Sequence, residues 1–253
     1  MIAHPEGDAG FRASAGPNTN ADGEGTPGIS LIGDRLVVDL GFPQRCLSSA
    51  VLGGGLGWVR TWINAQVRHG YSRTDPRRHL QEIARDLAAG EPVVGMLTAA
   101  CVDRYQIAGS GSAWAVATVG GLLTHGLAAG AAPMEEPGTS VPRVSTDLVG
   151  TINILALVDR PLTDEALAGA LITVVEAKAR ALATARIPAI GAEGYATGTP
   201  TDSVCVACPP GENVCFAGPA TPVGNDLGRA VYEAVLAGAL DEVARSASAG
   251  DVR

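Results

Sequence analysis

TINILALVDRPLTDEAL, Thr151 to Leu167, sets an unbroken aliphatic run against a Pro-containing turn and a helix start. Ile152, Ile154, Leu155, Leu157 and Val158 read as a buried strand over Thr151–Val158, because a short β-branched run bounded by turn residues suits a covered sheet position. Thr163 then offers a hydroxyl N-cap for a helix of about twenty residues. Leu167, Leu171, Val174, Val175, Lys178 and Leu182 drift around one face of that helix. Beyond it, ATGTPTDSVCVACP (Ala196 to Pro209) runs a polar knot into a second apolar strand, expected over Asp202–Cys208. Strand, helix, polar turn, strand is the unit from which the rest of the chain is read.

The knot has two readings. Thr199, Thr201 and Ser203 can satisfy the backbone groups of an ordinary turn, as hydroxyl side chains commonly do. Equally, a glycine-bearing turn at a strand entrance gathers amides, hydroxyls and the single carboxylate of Asp202 without bulky obstruction, which is what a binding or catalytic site needs.

The 253 residues fit one domain with a substantial core. Residues 1–28 are rich in Gly, Pro, Asn and Asp, lack the apolar content that would offset ordering entropy, and read as a disordered arm. The arm lacks the basic start and apolar core of a secretory signal, and no apolar stretch is long enough to span a bilayer, so a cytoplasmic protein without membrane partners is expected. A net charge of −8 and a pI near 5.0 disfavour nucleic acid, whose affinity comes from Lys and Arg neutralising phosphates. The basic run Arg73–Arg78, interrupted by Asp75 and Pro76, reads as a solvated turn, and His69 and His79 beside it lack metal-ligand spacing.

Five cysteines argue against a disulfide framework. Cys205 and Cys208 would face opposite sides of a strand, so they read as small buried residues rather than paired metal ligands. VLGGGLG, Val51 to Gly57, lacks the Lys and Ser/Thr of a phosphate loop.

Outward from the central unit, Gly28–Ile32 and Arg35–Leu40 are expected as a hairpin about Gly33-Asp34, and Leu47–Leu52 as a further short strand. Arg77–Ala89 has helical spacing at Leu80, Ile83, Ala84 and Leu87 and is expected to end on Gly90. Pro92–Thr98 and Ala113–Val119 read as strands, and Gly120–Ser145 mostly as loop. Asn225 or Asp226 is expected to cap a final long helix with Val231, Val235, Leu240 and Val243 on its apolar face.

Five segments together, in order and with similar spacing, carry a resemblance over residues 30–245. They are LSSAVLGGGLGWVRTWINAQV (Leu47–Val67), EPVVGMLTAA (Glu91–Ala100), VGTINILALVDRPL (Val149–Leu162), the polar knot, and GPATPVGNDLGRAVYEAV (Gly218–Val235). The chain resembles the adenosylcobinamide amidohydrolase family of corrinoid salvage, and residues 29–247 are expected to form its domain. More distantly, the central unit resembles the β-aminopeptidases and ornithine acetyltransferases, whose strand-opening Ser or Thr becomes a nucleophile after self-cleavage. These resemblances imply an α+β layered sandwich, with a homo-oligomer left open, and a corrinoid as substrate with no cofactor.

On that basis Thr151 is the expected nucleophile and Gly150-Thr151 the expected scissile bond. A free N-terminal Thr carries its own base, since an α-amine titrates at roughly 7.7 to 8.0, near enough to neutrality to take the hydroxyl proton. Asn153 would share Thr151's side of the strand, and Asp202 would orient or receive a proton from the neighbouring strand. Asn64, Ser48, Ser49, Thr199, Thr201 and Ser203 are expected substrate-binding residues, together with Glu176 and Lys178 from an EAK motif that the family shares. Two residues apart on a helix, Glu176 and Lys178 cannot both face one site.

Three departures from the family pattern stand out. Cys101 replaces an aspartate, TVGGLLTHG leaves Thr124 or His125 where an Asn is usual, and Ala220 replaces a His. His125 could supply a titratable group. The function implied is hydrolysis of adenosylcobinamide to adenosylcobyric acid and aminopropanol. An amidase or acyltransferase on another small amide, and a non-catalytic corrinoid-binding homologue, are the alternatives.

Overall fold

A computed structural model describes residues 27–68, 70–131 and 150–250. Most of the expected N-terminal arm, His69 and much of the expected Gly120–Ser145 loop therefore lie outside the described residues.

Side-chain alternation along the strand Thr151–Val158 decides the layering. Ile152, Ile154, Ala156 and Val158 enter one buried cluster, whereas Leu155 and Leu157 enter another. Successive side chains of a strand point to opposite faces, and a strand buried on both needs a layer on each side.

In chain order the elements are β1 (Gly28–Ile32), β2 (Arg35–Ser48), β3 (Gly55–Gln66), α1 (Pro76–Asp86), β4 (Val93–Thr98), β5 (Gln106–Ser110), β6 (Ala113–Gly120), α2 (Leu122–His125), β7 (Thr151–Val158), α3 (Asp164–Thr184), β8 (Ser203–Cys208) and α4 (Pro222–Gly250). The eight strands form one sheet in the order β4-β3-β2-β8-β7-β6-β5, with β1 added to β2. Two pairs are parallel, β3 with β4 and β7 with β8. Each encloses a crossover containing a helix, α1 or α3, as parallel neighbours require.

The sheet folds over on itself. Trp62, Val94 and Met96, from β3 and β4, share a buried cluster with Trp114, Val116, Leu155 and Leu157, from the other end of the strand order. On the outer face of β5–β8, α3 and α4 bury Leu167, Val174, Leu227 and Val231. On the outer face of β3 and β4, α1 lays Leu80, Ile83 and Ala84 against Ile63, Ala65 and Val93. Helix, sheet, sheet, helix is thus the layer order, an α+β sandwich. Among the described residues, no helix is long and apolar enough to cross a membrane.

The hairpin at Gly33, the strands at Val93–Thr98 and Ala113–Gly120, and the Thr163 cap agree with the sequence reading. Gly33 takes a φ of 60°, and the Thr163 hydroxyl accepts a hydrogen bond from Ala166 N at 3.3 Å. Four readings are corrected.

Leu47–Leu52 does not open a new strand, because β2 continues through a register irregularity between Asp39 and Gln44. There Gly41, at φ 79°, donates its N–H to Asp39 Oδ1, so Gly41 and Pro43 mark a bulge rather than a strand end. Second, β3 and β5 are strands the patterning did not reveal. Apolar parity in β3 shifts where Arg60 N and Thr61 N both donate to Pro92 O, so that Val59 and Trp62 face the same cluster. Third, α1 stops at Asp86, and Ala88 rather than Gly90 adopts the left-handed conformation. Gly90 instead allows close packing, since a Cβ there would come within 2.7 Å of Arg60. Fourth, α4 begins at Pro222, with the Thr221 hydroxyl accepting from Gly224 N at 3.1 Å. Asp226 is turned to Ser112, accepting from its N–H and hydroxyl at 2.9 and 3.0 Å.

Candidate active site

Strand parity places Thr151 and Asn153 on the inner face of β7, toward the space between the two halves of the sheet. Asn153 is fully buried. Its amide donates to Asn64 Oδ1 at 2.8 Å and to Leu97 O at 2.9 Å. Asn64, on the opposite half, donates in turn to Thr118 Oγ1 at 2.7 Å. These bonds tie four strands, β3, β4, β6 and β7, together behind Thr151. They also set both amide orientations and leave Asn153 Oδ1 without a hydrogen-bond partner among the described residues.

Asp202, at the entrance of β8, is an anchor. Its Oδ1 accepts from Ile152 N at 2.9 Å and from the Thr199 hydroxyl. Its Oδ2 accepts from Thr199 N at 3.1 Å and forms an ion pair with Lys178 of α3. Both charged side chains are about nine-tenths buried, with 9% and 11% of their surface exposed. Gly198 makes room for them, since a Cβ there would come within 2.4 Å of Asp202 Oδ2 and 2.6 Å of Lys178 Nζ. A carboxylate so fully engaged positions its neighbours. With both oxygens committed to donors, it is poorly placed to collect a proton from Thr151.

Beside this anchor, the Gly150 carbonyl oxygen accepts from the Thr201 hydroxyl at 3.0 Å, and Thr199 Oγ1, whose single proton goes to Asp202, lies 2.7 Å from it. Thr201 Oγ1 also lies 2.8 Å from Thr151 Oγ1. Gly150 cannot be larger, as a Cβ would come within 2.7 Å of Gly121 O and 3.0 Å of His125 Cβ.

Thr151, Thr201, Asp202, Ser203 and Ser49 line a cavity of about 370 Å³ at the open end of the sandwich. Across from them, apolar Val51, Val67, Met96 and Leu97 form a second wall, with Arg68 and Tyr71 beside it. Tyr71 stacks on His79, its hydroxyl 3.0 Å from Nδ1. Burial pushes the Tyr71 phenol above its ordinary range despite the opposing charge of Arg73. A hydroxyl-rich floor facing an apolar wall suits a ligand that presents one polar linkage from a larger apolar body.

The remaining expected site residues divide plainly. Ser49 accepts from Val204 N at 3.0 Å and reaches the cavity. Ser48 is buried, donating to Val204 O and accepting from Ala50 N, each at 3.0 Å. Asn64 lies behind Asn153 and does not line the cavity. Lys178 faces inward as one of the EAK pair, whereas Glu176 is exposed on the far side of α3. There it borders a separate cleft with Arg180 and Arg229, because residues two apart on a helix diverge by about 200°.

At the departures from the family pattern, His125 is buried and its Nδ1 lies 2.8 Å from Thr124 Oγ1. Cys101 is exposed, and so is Ala220. Cys205 and Cys208 do face opposite clusters. The neighbouring Cys46 thiol raises the Cys205 thiol, and burial adds to the effect. Gly198, Thr118, Leu97 and the lining residues Val67, Arg68 and Tyr71 were not singled out from the sequence. Only Gly198, within the polar knot, carried a local signal.

Residues 29–247 match the family described as adenosylcobinamide amidohydrolase. An adenosylcobinamide amidohydrolase of Halobacterium salinarum is 38% identical over 144 residues, 56% of each chain. One of Methanosarcina mazei is 28% identical over 201 residues, 75% of this chain and 88% of that protein. An uncharacterised protein of Methanocaldococcus jannaschii is 36% identical over 100 residues, 39% of this chain and 38% of its own. The chain thus spans about half or less of the length of the Halobacterium and Methanocaldococcus relatives. A match that runs from β1 into α4, and so takes in every residue that lines the cavity, shows that this chain belongs to the adenosylcobinamide amidohydrolase family.

Proposed function

We propose that the protein hydrolyses the carboxamide of adenosylcobinamide, releasing adenosylcobyric acid and aminopropanol, with Thr151 as nucleophile. The observation that carries this reading is the Thr151 hydroxyl on the floor of the cavity, 2.8 Å from a second hydroxyl on Thr201. The substrate's amide linkage would sit over that floor while its apolar body lies along Val67, Met96 and Leu97. Thr151 Oγ attacks the carbonyl carbon, aminopropanol leaves with a proton on its nitrogen, and water hydrolyses the resulting ester.

A base is needed for the first step. Self-cleavage at Gly150-Thr151 would provide one as the freed α-amine of Thr151, which titrates at roughly 7.7 to 8.0. Asn153 Oδ1, a buried acceptor on the same side of the strand as Thr151, suits that ammonium. The layer order and the passage from strand through helix and polar turn to strand support the more distant likeness to β-aminopeptidases and ornithine acetyltransferases. The corrinoid is substrate in this reading, with no resident cofactor, and the free thiols among the described residues favour a cytoplasmic setting.

The test is incubation of purified protein with adenosylcobinamide, followed by liquid chromatography and mass spectrometry. Adenosylcobyric acid should form with wild type and fall to background with Thr151→Ala. Binding without product from wild type would favour a corrinoid-binding protein. Neither binding nor product would favour an amidase or acyltransferase on another small amide, as the altered Cys101 and Ala220 positions would allow.

A further inference from the structure

The contacts around Gly150 form a closed path of hydrogen bonds. Thr201 Oγ1 lies 2.8 Å from Thr151 Oγ1 and 3.0 Å from Gly150 O, and a hydroxyl has one proton to donate. When Thr201 donates to the carbonyl, its lone pair is left to accept from Thr151. Thr199 Oγ1 lies 2.7 Å from the same carbonyl, but its one proton is engaged by Asp202 Oδ1, which leaves Thr201 as the donor. The two hydroxyls are thus not equivalent. One touches both the attacking oxygen and the attacked carbonyl, whereas the other touches the carbonyl and the Asp202 carboxylate.

We infer that Thr201 is the proton relay for self-cleavage of the Gly150-Thr151 bond, an inference that rests on the reading of Thr151 as a self-processed nucleophile. Thr151 Oγ forms a bond to the Gly150 carbonyl carbon. Its proton passes to Thr201 Oγ while the Thr201 proton passes to the carbonyl oxygen, which gives a neutral tetrahedral intermediate without a separate charged base. On collapse the C–N bond breaks, the carbonyl reforms, and the proton returns through Thr201 to the Thr151 nitrogen. Water then hydrolyses the ester to a Gly150 carboxylate and a free Thr151 hydroxyl and amine.

The relay is held for this purpose from outside the reacting bond. Asp202 takes Ile152 N on one side of the bond and both the N–H and the hydroxyl of Thr199 on the other, so a single carboxylate registers the attacked segment against the turn that carries Thr201. Lys178 secures that carboxylate from α3. Once the Gly150 end departs, the Thr201 hydroxyl is vacated at the cavity floor and can receive the carbonyl oxygen of an external amide. The donor of the first reaction thereby becomes an oxyanion donor of the second.

The experiment is a time course of intact mass after synthesis of the full chain, for wild type, Thr151→Ala, Thr199→Val, Thr201→Val and Thr201→Ser, with circular dichroism on each. Wild type should resolve into fragments 1–150 and 151–253, and Thr151→Ala should stay whole. Thr201→Val should slow cleavage roughly 100-fold or more, in line with loss of a carbonyl donor, while Thr199→Val slows it less. Thr201→Ser, which keeps the hydroxyl, should cleave within a few-fold of wild type. If wild type cleaves and Thr201→Val keeps pace with it, or if Thr201→Ser is as slow as Thr201→Val, the relay is overturned and the self-processing reading stands. A wild-type chain that stays whole yet turns over adenosylcobinamide through Thr151 removes both self-cleavage and the relay but leaves the nucleophile. A whole chain with no Thr151-dependent turnover removes all three.

Discussion

Replacing Asp202 by Asn should reverse the effect of losing Lys178. In the wild-type arrangement, Asp202 accepts from Ile152 N, Thr199 N, the Thr199 hydroxyl and Lys178. Asn has nearly the same shape but presents an NH2 group where Oδ2 stood, facing an ammonium and an amide N–H. With the Lys178 side chain 9% exposed, the stranded charge should destabilise the fold by about 3–5 kcal/mol. Lys178→Met alone leaves Asp202 three donors, so its cost should be about 1–3 kcal/mol. In the Asp202→Asn background the same Lys178→Met change should instead recover about 2 kcal/mol, because it removes the stranded charge and leaves mainly the unmatched Thr199 N–H. The four proteins of this double-mutant cycle are best compared by urea denaturation at pH 7, followed by circular dichroism. A shared Thr151→Ala background keeps every chain covalently whole. If the double variant is as unstable as Asp202→Asn alone, the uncompensated Lys178 charge is not the source of the loss, and the anchor argument fails.

Two further outcomes follow from groups close to the site. Glu242 on α4 is buried and accepts from Leu122 N at 2.8 Å, and burial raises its carboxyl above the ordinary range against the pull of α2 amides and Arg245. A raised carboxyl makes the folded protein bind more protons than the unfolded chain, so its contribution is greatest below the ordinary carboxylate range and declines as pH rises to the raised value. Glu242→Gln should flatten that part of the thermal stability profile between acid and neutral pH, and an unchanged slope would refute the assignment. Gly150→Ala should move the Gly150 carbonyl off the Thr201 hydroxyl, because the new methyl would sit 2.7 Å from Gly121 O. Cleavage followed by intact mass should slow by at least about tenfold, and wild-type rates would show that the segment yields without disturbing the donor.

How far the sequence reached depended on the range of the physics involved. Local signals were legible: the run Thr151–Val158, the Thr163 hydroxyl that caps α3, the turn at Gly33, and the opposed faces of Cys205 and Cys208 all follow from backbone preference and side-chain alternation over a few residues. The polar knot was visible as a concentration of hydroxyls around Asp202, and the order of the larger segments carried the family.

Non-local cancellation hid the rest. The sequence reading ended one strand at Leu40 and began another at Leu47, yet neighbours on both edges of β2 hold it as one strand across its bulge. Likewise β3 escaped notice because its apolar parity shifts at Arg60 and Thr61, an irregularity that only the Pro92 carbonyl on β3's partner side explains. Asn64 looked like a ligand-binding amide, but the fold of the sheet brings it against Asn153 and Thr118, where a buried amide must find partners. By itself, then, the sequence determined which residues could build strands, caps and a hydroxyl-rich turn, since these are properties of short segments. Only the tertiary structure decided that Lys178 rather than Glu176 meets Asp202, and that the Gly150 carbonyl lies between Thr199 and Thr201. Those contacts join positions dozens of residues apart, and they arise when β7, β8 and α3 bury their faces together.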